Sequence, residues 1–329
     1  SIQSTLMVGS ETNETAGFLL LGLVYSSKVR HVIIPFQVIV FIIGFLANSM
    51  VIHIVSTRSS VRNPKNVLIS HLCLVDLFGL LTFSPYFITR FSMSSTEPIT
   101  LNWCLIQYYF LNVFTCIGLW MVIFMAIDRF VVICYPFDYE MKVSNDRVHK
   151  FIVICWAFAI VYPMFYIFPF VGHKPCYLIT SSSFLCTGAA LEASPCTVSI
   201  SVFPRYYRLF MIAIHLAGGQ IIVAVSYMKI LKESRSARLT EASRKAMYTV
   251  VTHGIVLSIF FGNAYLLFVT GSLEIKDPEK NTVLTGIRLS ADLLYLNIPP
   301  TLNPIIYGLR NEEMRKEIFK MLKRKPKIK

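Results

Sequence analysis

The chain has 329 residues, of which 55% are hydrophobic and only 15% are charged, whereas soluble domains carry roughly 25% charged residues. Its apolar residues are gathered into blocks long enough to cross a bilayer, which takes about 20 residues per helix. This composition excludes an ordinary soluble domain and predicts a polytopic membrane protein with one membrane domain. The net charge of +13 would suit nucleic acid, but its placement along the chain argues against that partner.

Seven apolar segments follow one another along the chain. They cover about residues 32–56, 66–89, 102–134, 151–171, 206–231, 246–271 and 287–308. Seven crossings put the termini on opposite sides, and 22 of the 31 Lys and Arg residues fall on the side of the C-terminus. The positive-inside rule therefore predicts an extracellular N-terminus and a cytosolic C-terminus. The basic charge is interpreted as a topology signal and as attraction to anionic inner-leaflet lipid.

The predicted organisation has three parts. Residues 1–30 form a polar extracellular tail, in which Asn13 begins the sequon Asn13-Glu14-Thr15 and is a predicted glycosylation site. Residues 31–310 form the seven-transmembrane domain, and its first helix is expected to serve as the insertion signal because no cleavable signal pattern opens the chain. Residues 311–329 form a basic amphipathic helix on the inner leaflet, followed by a basic tail.

Polar side chains interrupt the first two apolar segments. Asp76 lies about three turns into the second one, and an ionisable group at that depth normally faces the bundle and has a partner. Asn48 and Asn303 are the candidate partners. Such a cluster is either a polar knot that fixes packing or a cation or water site that changes between states, and both interpretations stay open here.

The third segment has one polar face and one charged end. Leu111, Asn112, Thr115, Cys116 and Leu119 recur at a spacing that places them on one helical face. A face of this kind suits either close helix packing or the wall of a ligand pocket. At the inner end stand Asp128 and Arg129, which mark where the helix leaves the membrane. A snorkelling arginine would explain this pair as well as a functional one does.

The segment 172–205 is a long outer loop with three cysteines at equal spacing, Cys176, Cys186 and Cys196. Together with Cys104 they lie on the oxidising side, where four cysteines permit three pairings. A loop of this length, tied by disulfides, is expected to act as a lid. The remaining cysteines, Cys73, Cys116, Cys134 and Cys155, are expected to be free.

The seventh segment contains three prolines, which remove backbone hydrogen bonds and kink a helix. Asn303 is well placed to bond the carbonyls that they free. Asp292 lies in the outer half and faces either the pocket or the loop. No His, Asp or Glu cluster has the spacing of a metal site, and no nucleophile has a base in a known motif, so no cofactor and no enzyme is predicted.

This arrangement resembles a rhodopsin-like G-protein-coupled receptor and, within that class, an olfactory receptor. The stretch from Met125 to Cys134 is close to the family's MAYDRYVAIC, and Asn303-Pro304-Ile305-Ile306-Tyr307 matches its seventh helix. Further matches are Phe18 to Gly22, Ser226-Tyr227, and Lys245-Ala246 with Thr249 and His253. Two positions depart from the family pattern. Pro64-Lys65-Asn66 in place of Pro-Met-Tyr weakens assignment to the mammalian groups, and Gly118 in place of an acidic residue weakens the case for a sodium site.

The resemblance implies a receptor that binds a small organic odorant within the bundle and activates a heterotrimeric G protein, expected to be stimulatory and to raise cyclic AMP. It implies residence in the plasma membrane of sensory cilia and the disulfides Cys104–Cys186 and Cys176–Cys196. The switch is expected at Asp128, Arg129, Tyr227, Asn303, Pro304 and Tyr307. The pocket is expected at Leu111, Asn112, Thr115, Cys116, Phe261, Ala264, Tyr265 and Phe268.

Two other functions compete with this interpretation. A receptor of the same fold for a peptide or a lipid differs only in its ligand. A transporter is less well supported, because transporters usually show two related halves with broken helices in corresponding places, and no such repeat is seen. A simple amine ligand is disfavoured, since Leu111 and Asn112 stand where amine-sensing relatives carry an Asp, unless Asp292 substitutes for it.

Overall fold

The computed structural model describes residues 17–20, 27–93, 97–175, 178–181, 183–194, 198–236, 241–272 and 282–323. Within these residues seven long helices form one bundle. Their bounds are α1 Ser27–Thr57, α2 Pro64–Ser92, α3 Leu101–Cys134, α4 Asn145–Ile167, α5 Val198–Ala213 continued by a π-helical turn at Ile214–Gly218 and by Gly219–Ser236, α6 Glu241–Ser272 and α7 Thr282–Arg310. A shorter amphipathic helix, α8, follows at Glu312–Lys323. The predicted all-α, seven-transmembrane fold is confirmed.

Most of these helices extend beyond the predicted apolar segments, because polar residues begin them. Asn63 accepts a hydrogen bond from the backbone N–H of Asn66 at 3.0 Å and caps α2. Thr100 caps α3 in the same way, and Ser144 caps α4. Helix α4 begins six residues before the predicted segment 151–171, since its first turn is polar and hydropathy detects only the apolar part that follows.

Five of the described helices, α1 to α5, are long and apolar enough to cross a bilayer by themselves. Helix α6 contributes a shorter apolar stretch, Leu257–Val269. Large apolar side chains such as Val32, Phe36 and Leu46 are exposed on α1. A surface of this kind is stable in hydrocarbon and costly in water, so the chain is a multi-pass membrane protein.

Helix α3 is the centre of the bundle and packs against α2, α4, α5 and α6. Many of its buried side chains, among them Ile117 and Met121, lie in the main core cluster. Gly219 allows α5 to approach α3 closely, because a Cβ atom at that position would lie 2.8 Å from Cδ1 of Ile123. Helix α3 therefore shares its buried surface with most of the bundle.

The apolar face of α8 packs in part against protein, and its position on the inner leaflet stays a prediction. Ile318 joins Ile54 and Val61 in a small buried cluster, and Met314 is fully buried. Asn311, just before α8, donates to the buried Asn66 at 2.5 Å. Asn66, one of the departures noted above, thus ties α8 to the start of α2. Phe319 stays 50% exposed and leaves one apolar side chain for lipid.

A small sheet covers the other end of the bundle. Strand β1, Phe18–Leu20, runs parallel to β2, Ile179–Ser181, with Phe18 opposite Ile179. Phe18 also exchanges two backbone hydrogen bonds of 2.9 Å with Ile99. The predicted loop 172–205 is therefore structured in part, since it holds β2, a helical turn at Gly188–Glu192 and the first turns of α5.

Candidate functional site

A cavity of about 240 Å³ lies between α3, α5, α6 and α7. It is covered by the lid, defined as residues 178–181 and 183–194. The end of the bundle beneath the lid is called the lid end, and the opposite end the Arg129 end. The lining includes Leu111, Asn112, Thr115, Cys116, Leu119, Tyr162, Ser183, Thr187, Arg208, His215, Leu216, Phe260, Ala264, Phe268, Arg288, Asp292 and Tyr295.

The lid is bound to the bundle by covalent and polar contacts. A disulfide joins Cys104, at the start of α3, to Cys186. The backbone N–H of Cys186 donates to the side chain of Gln107 at 2.7 Å. Tyr166 donates to the carbonyl of Gly188 at 3.0 Å. The first of the two expected disulfides is thus present, whereas the cysteines of the second, Cys176 and Cys196, lie outside the described residues. The predicted glycosylation site, Asn13, also lies outside them.

Two carboxylates paired with arginines lie at the lid end of the cavity. Arg208 of α5 donates to both oxygens of Glu192, at 2.6 and 2.9 Å, and the exposed Arg205 lies 3.5 Å from the same carboxylate. On α7, Nε of Arg288 lies 3.6 Å from Oδ1 of Asp292. Ser183 of the lid donates to the other oxygen of Asp292 at 2.5 Å. Asp292 therefore faces both the cavity and the lid.

Hydrogen bonds within the protein hold the polar groups in the middle of the cavity. Tyr295 of α7 donates to Thr115 at 2.6 Å, and Thr115 donates to the carbonyl of Leu111 at 2.6 Å. Asn112 donates to the carbonyl of Tyr108 at 2.8 Å. Thr115 and Tyr295 also line a lower cavity, so their hydrogen bond lies between the two spaces and joins α3 to α7.

His215 faces the cavity from the π-helical turn of α5. Its ring nitrogen Nε2 lies 3.6 Å from Sγ of Cys116 and its ring contacts Tyr162 edge-on. π-helical turns occur mostly as single bulges and frequently at functional sites. Sequence reasoning missed this residue, although a histidine inside an apolar transmembrane segment is itself a signal.

Two of the four residues predicted on α6 lie away from this cavity. Leu111, Asn112, Thr115, Cys116, Ala264 and Phe268 all line the cavity, but Phe261 and Tyr265 do not. Phe261 is buried in the core near Gly219, and Tyr265 donates to Gln220 at 2.9 Å on the opposite side of α6. Phe260 takes the predicted place of Phe261, because one position along a helix turns a side chain by about 100°.

The charged pair at the Arg129 end is closed in this structure. Arg129 donates to Oδ2 of Asp128 at 2.6 Å, and Tyr139 donates to Oδ1 at 2.8 Å. Burial raises the pKa of Tyr139, and the charge of Asp128 raises it further, so the phenol keeps its proton and remains a donor at physiological pH. Two other predicted switch residues, Tyr227 and Tyr307, pack against the main core cluster.

The buried polar cluster has one predicted contact and one correction. Asn303 donates to Asp76 at 2.9 Å, as expected. Asn48 is not a partner of Asp76. It donates to the carbonyls of Gly44 and Pro300 at 2.7 and 2.8 Å. The carbonyl of Pro300 has no helical donor because Pro304 lacks an N–H, so Asn48 performs the task predicted for Asn303.

A lower cavity of about 80 Å³ adjoins this cluster. Asp76, Asn303 and Gly118 line it together with Thr115 and Tyr295. A Cβ atom built at Gly118 would meet no heavy atom within 4 Å apart from its chain neighbours and the backbone of its own helix. Gly118 therefore leaves space where the family usually has an acidic side chain. The lower cavity therefore extends the polar cluster of α2 and α7 towards the cavity under the lid.

Seven transmembrane helices, a cavity beneath a disulfide-bonded lid and an Asp-Arg pair at the far end of the central helix define a rhodopsin-like G-protein-coupled receptor. A family model described as Olfactory receptor matches residues 37–325. The chain is 24% identical to Olfactory receptor 1P1 of Homo sapiens, over 97% of this chain and 94% of that protein. It is 25% identical to Olfactory receptor 1f45 of Rattus norvegicus, over 95% and 97% respectively.

The chain therefore belongs to the olfactory receptor family. Ligand binding and G-protein signalling are general properties of that family, and its members are receptors and not enzymes.

Proposed function

We propose that the protein is an odorant receptor that binds a small organic molecule in the cavity under the lid. The bound ligand activates a heterotrimeric G protein, expected to be stimulatory and to raise cyclic AMP. The observation that carries this proposal is that α3 lines the cavity at one end and presents the Asp128–Arg129 pair at the other. A change in how α3 packs against its neighbours would therefore alter both the cavity and the surroundings of the Asp128–Arg129 pair.

The proposed mechanism is a shift between two arrangements of the helices. A ligand can move such an equilibrium only by the difference in its affinity for the two states. In the resting state Arg129 is held by Asp128, which Tyr139 also contacts. In the active state Arg129 is released and contacts a helix of the G protein.

The size of the cavity favours a small ligand over a peptide. Its volume of about 240 Å³ lies below the range of about 300–1,000 Å³ that is usual for drug-sized ligands. Six residues of the lid, from Ser183 to Ala189, line the cavity and narrow the space that a peptide would need. The lid is held by a disulfide and by the Glu192–Arg208 pair, and this attachment supports a compact ligand. A peptide or lipid agonist is the competing outcome of the test.

The proposed topology places the lid outside the cell and the Arg129 end in the cytosol, in accordance with the positive-inside rule. Residence in sensory cilia is proposed from the family alone.

A cyclic-AMP reporter in cells that express the chain with an N-terminal tag tests the proposal. The tag should be stained without permeabilisation, and at least one compound of a broad panel of small organics should raise cyclic AMP in a dose-dependent manner. Arg129→Ala should reach the surface and lose this response. Full signalling by Arg129→Ala, or a response to peptides or lipids with silence to small organics, would contradict the proposal.

A second variant pair tests where the ligand binds. Ala264→Phe should fill the cavity and abolish the response, because Ala264 lies in its lining. Leu266→Phe adds the same ring two residues away, at a side chain that is 37% exposed and outside the lining, and should signal as wild type does. Equal responses from the two variants would place the ligand elsewhere.

A further inference from the structure

The ionisable side chains at the lid end of the cavity are already paired within the protein. Arg208 donates to both oxygens of Glu192, at 2.6 and 2.9 Å. Arg288 lies 3.6 Å from Asp292 and donates to the carbonyl of Leu267 at 3.2 Å. A charged ligand would have to break one of these contacts and leave a buried ion without its partner, which is costly. The cavity therefore favours an uncharged ligand, and Asp292 does not replace the Asp that amine-sensing relatives carry on α3.

Neutral polar side chains of the lining are bonded to the protein as well. Each of them donates or accepts a hydrogen bond within the described residues, and they are Asn112, Thr115, Tyr162, Ser183, Thr187 and Tyr295. Groups that are satisfied in this way contribute little to the choice of a ligand, because the ligand only replaces one hydrogen-bond partner by another.

His215 differs from these groups because only one of its two ring nitrogens is engaged. Nε2 lies 3.6 Å from Sγ of Cys116. The other nitrogen, Nδ1, makes no hydrogen bond within the part of the chain that the structure describes. The rings of Tyr162 and Phe158 contact the imidazole edge-on and hold its plane. His215 therefore brings a fixed ring with one open nitrogen into the cavity wall.

The contact with Cys116 assigns the ring proton to one nitrogen. Sulfur is a weak acceptor, whereas the unprotonated nitrogen of a neutral imidazole accepts hydrogen bonds readily. The more favourable arrangement has the thiol of Cys116 donating to Nε2, and the ring proton then stays on Nδ1. In this tautomer Nδ1 is a donor, so a ligand bound to it has to offer an acceptor.

Much of the remaining lining is apolar, with side chains such as Leu119, Leu216 and Phe260. An oxygen atom of a ligand that enters such a cavity gives up its hydrogen bonds to water, and it must find a partner inside. One donor in an apolar lining is therefore enough to fix the orientation of a small ligand and to discriminate between ligands.

We propose that the ligand is an uncharged carbonyl compound, whose oxygen accepts a hydrogen bond from Nδ1 of His215. The inference rests on the proposed function and names the chemical class of its ligand and the residue that selects it. A carbonyl oxygen accepts without donating. An alcohol brings a hydrogen that would compete for oxygens already bonded to protein donors, such as those of Thr115 and Asp292.

Pairs of ligands that differ only in the carbonyl oxygen test the class directly. Octanal, cyclohexanone and acetophenone are compared with 1-nonene, methylenecyclohexane and α-methylstyrene in the cyclic-AMP assay with surface staining. Each second compound carries a methylene group in place of the oxygen and nearly keeps the shape. For every active skeleton the carbonyl compound should be more potent by about five- to a hundredfold, because the methylene leaves Nδ1 without a partner. Should no skeleton be active, the most potent agonist of the wider panel is compared with its own methylene analogue.

The outcomes separate this inference from the proposed function. A methylene analogue of equal or higher potency would overturn the inference and leave the proposed function standing. The same holds if the most potent agonist lacks a carbonyl group, or if octanoate, octylamine or 1-octanol is more potent than octanal. Silence to all small organics, with a response to peptides or lipids, would overturn both.

Two variants of similar size separate the roles of the two ring nitrogens. His215→Asn places an amide nitrogen one bond from Cγ, where Nδ1 stands, and should keep the preference for the carbonyl compound. His215→Gln places its nitrogen one bond further, towards Cys116, and should lose that preference. His53→Gln, at an exposed side chain of α1, is the control and should keep it.

The readout is the potency ratio within a ligand pair, because general damage to the fold lowers both potencies alike. Equal ratios for His215→Asn and His215→Gln would overturn the proposal. The ligand pairs on the unmodified receptor decide the chemical class even if a variant fails to reach the surface.

Discussion

The ion pair between Glu192 and Arg208 should stabilise the lid strongly enough to be measured. Glu192 is only 5% exposed and accepts from Arg208 through both oxygens. Glu192→Ala leaves the guanidinium of Arg208 without its anion. Removal of one partner of a buried pair typically costs about 3–5 kcal/mol. Because the side chain of Arg208 is 19% exposed and partly solvated, we expect the lower end, about 3 kcal/mol.

A double variant tests whether that cost comes from the unpaired charge. Glu192→Leu/Arg208→Met replaces both ions by apolar side chains of similar volume. Such replacements are often neutral or stabilising by about 1–4 kcal/mol. The double variant should therefore be at least as stable as the wild type, although Glu192→Ala alone is not. Arg205→Gln serves as the control, because its pair is exposed at one end and pairs of that kind contribute about 0–1 kcal/mol.

Thermal unfolding of the detergent-solubilised protein can be followed with a thiol-reactive fluorogenic dye. The free cysteines Cys73, Cys116 and Cys155 are buried and become reactive as the bundle opens. Glu192→Ala should lower the melting temperature by on the order of 5–10 °C. If Glu192→Ala melts with the wild type, the pair does not fasten the lid. If the double variant falls as far as the single one, the cost does not come from the unpaired charge, and either outcome refutes the reasoning.

Three further outcomes follow from the same structure. Asn48→Leu leaves the carbonyl of Pro300 without a donor and should lower the free energy of unfolding by about 1–2 kcal/mol in the same melting assay. Thr82→Val is the control, because it removes only a hydrogen bond within its own helix and should leave the stability unchanged. Tyr139→Phe removes a hydrogen bond from Asp128 and should raise basal cyclic AMP by about two- to tenfold at equal surface density. An unchanged basal level would contradict the proposed role of Tyr139 in the resting state. Cys104→Ser opens a disulfide that spans 82 residues of sequence and contributes about 4–5 kcal/mol to stability on the chain-entropy model. This variant should abolish surface staining, whereas Cys134→Ser, which changes a free cysteine, should retain it.

The sequence was most informative where one residue type has one physical consequence. Long apolar runs located the helices, and Asp76 was rightly expected to have Asn303 as a partner. The orientation inferred from the lysines and arginines stays a prediction. The Asp128–Arg129 contact was harder to predict, because adjacent residues on a helix do not face each other. The length of the arginine side chain allows the contact nevertheless.

Helical phase and long-range pairing were beyond single-sequence reasoning. Helix α6 carries large apolar residues on more than one face, so periodicity did not decide between Phe260 and Phe261 for the cavity. The partner of Asn48 depended on which carbonyl Pro304 leaves free, and on α1 lying beside α7. The pairing of Phe18 with Ile179 joins segments far apart in sequence, and neither segment alone predicts it.

The π-helical turn of α5 gives that helix a rotational degree of freedom that an unbroken α-helix lacks. A turn of this kind contains one residue more than an α-helical turn. Tightening it to α geometry would rotate the part of α5 beyond Gly218 by about 100° relative to the part before Ile214, while both parts keep their own hydrogen bonds. His215 lies inside the turn and in the cavity wall, so such a tightening would move a side chain of the cavity and rotate Tyr227 in the same step.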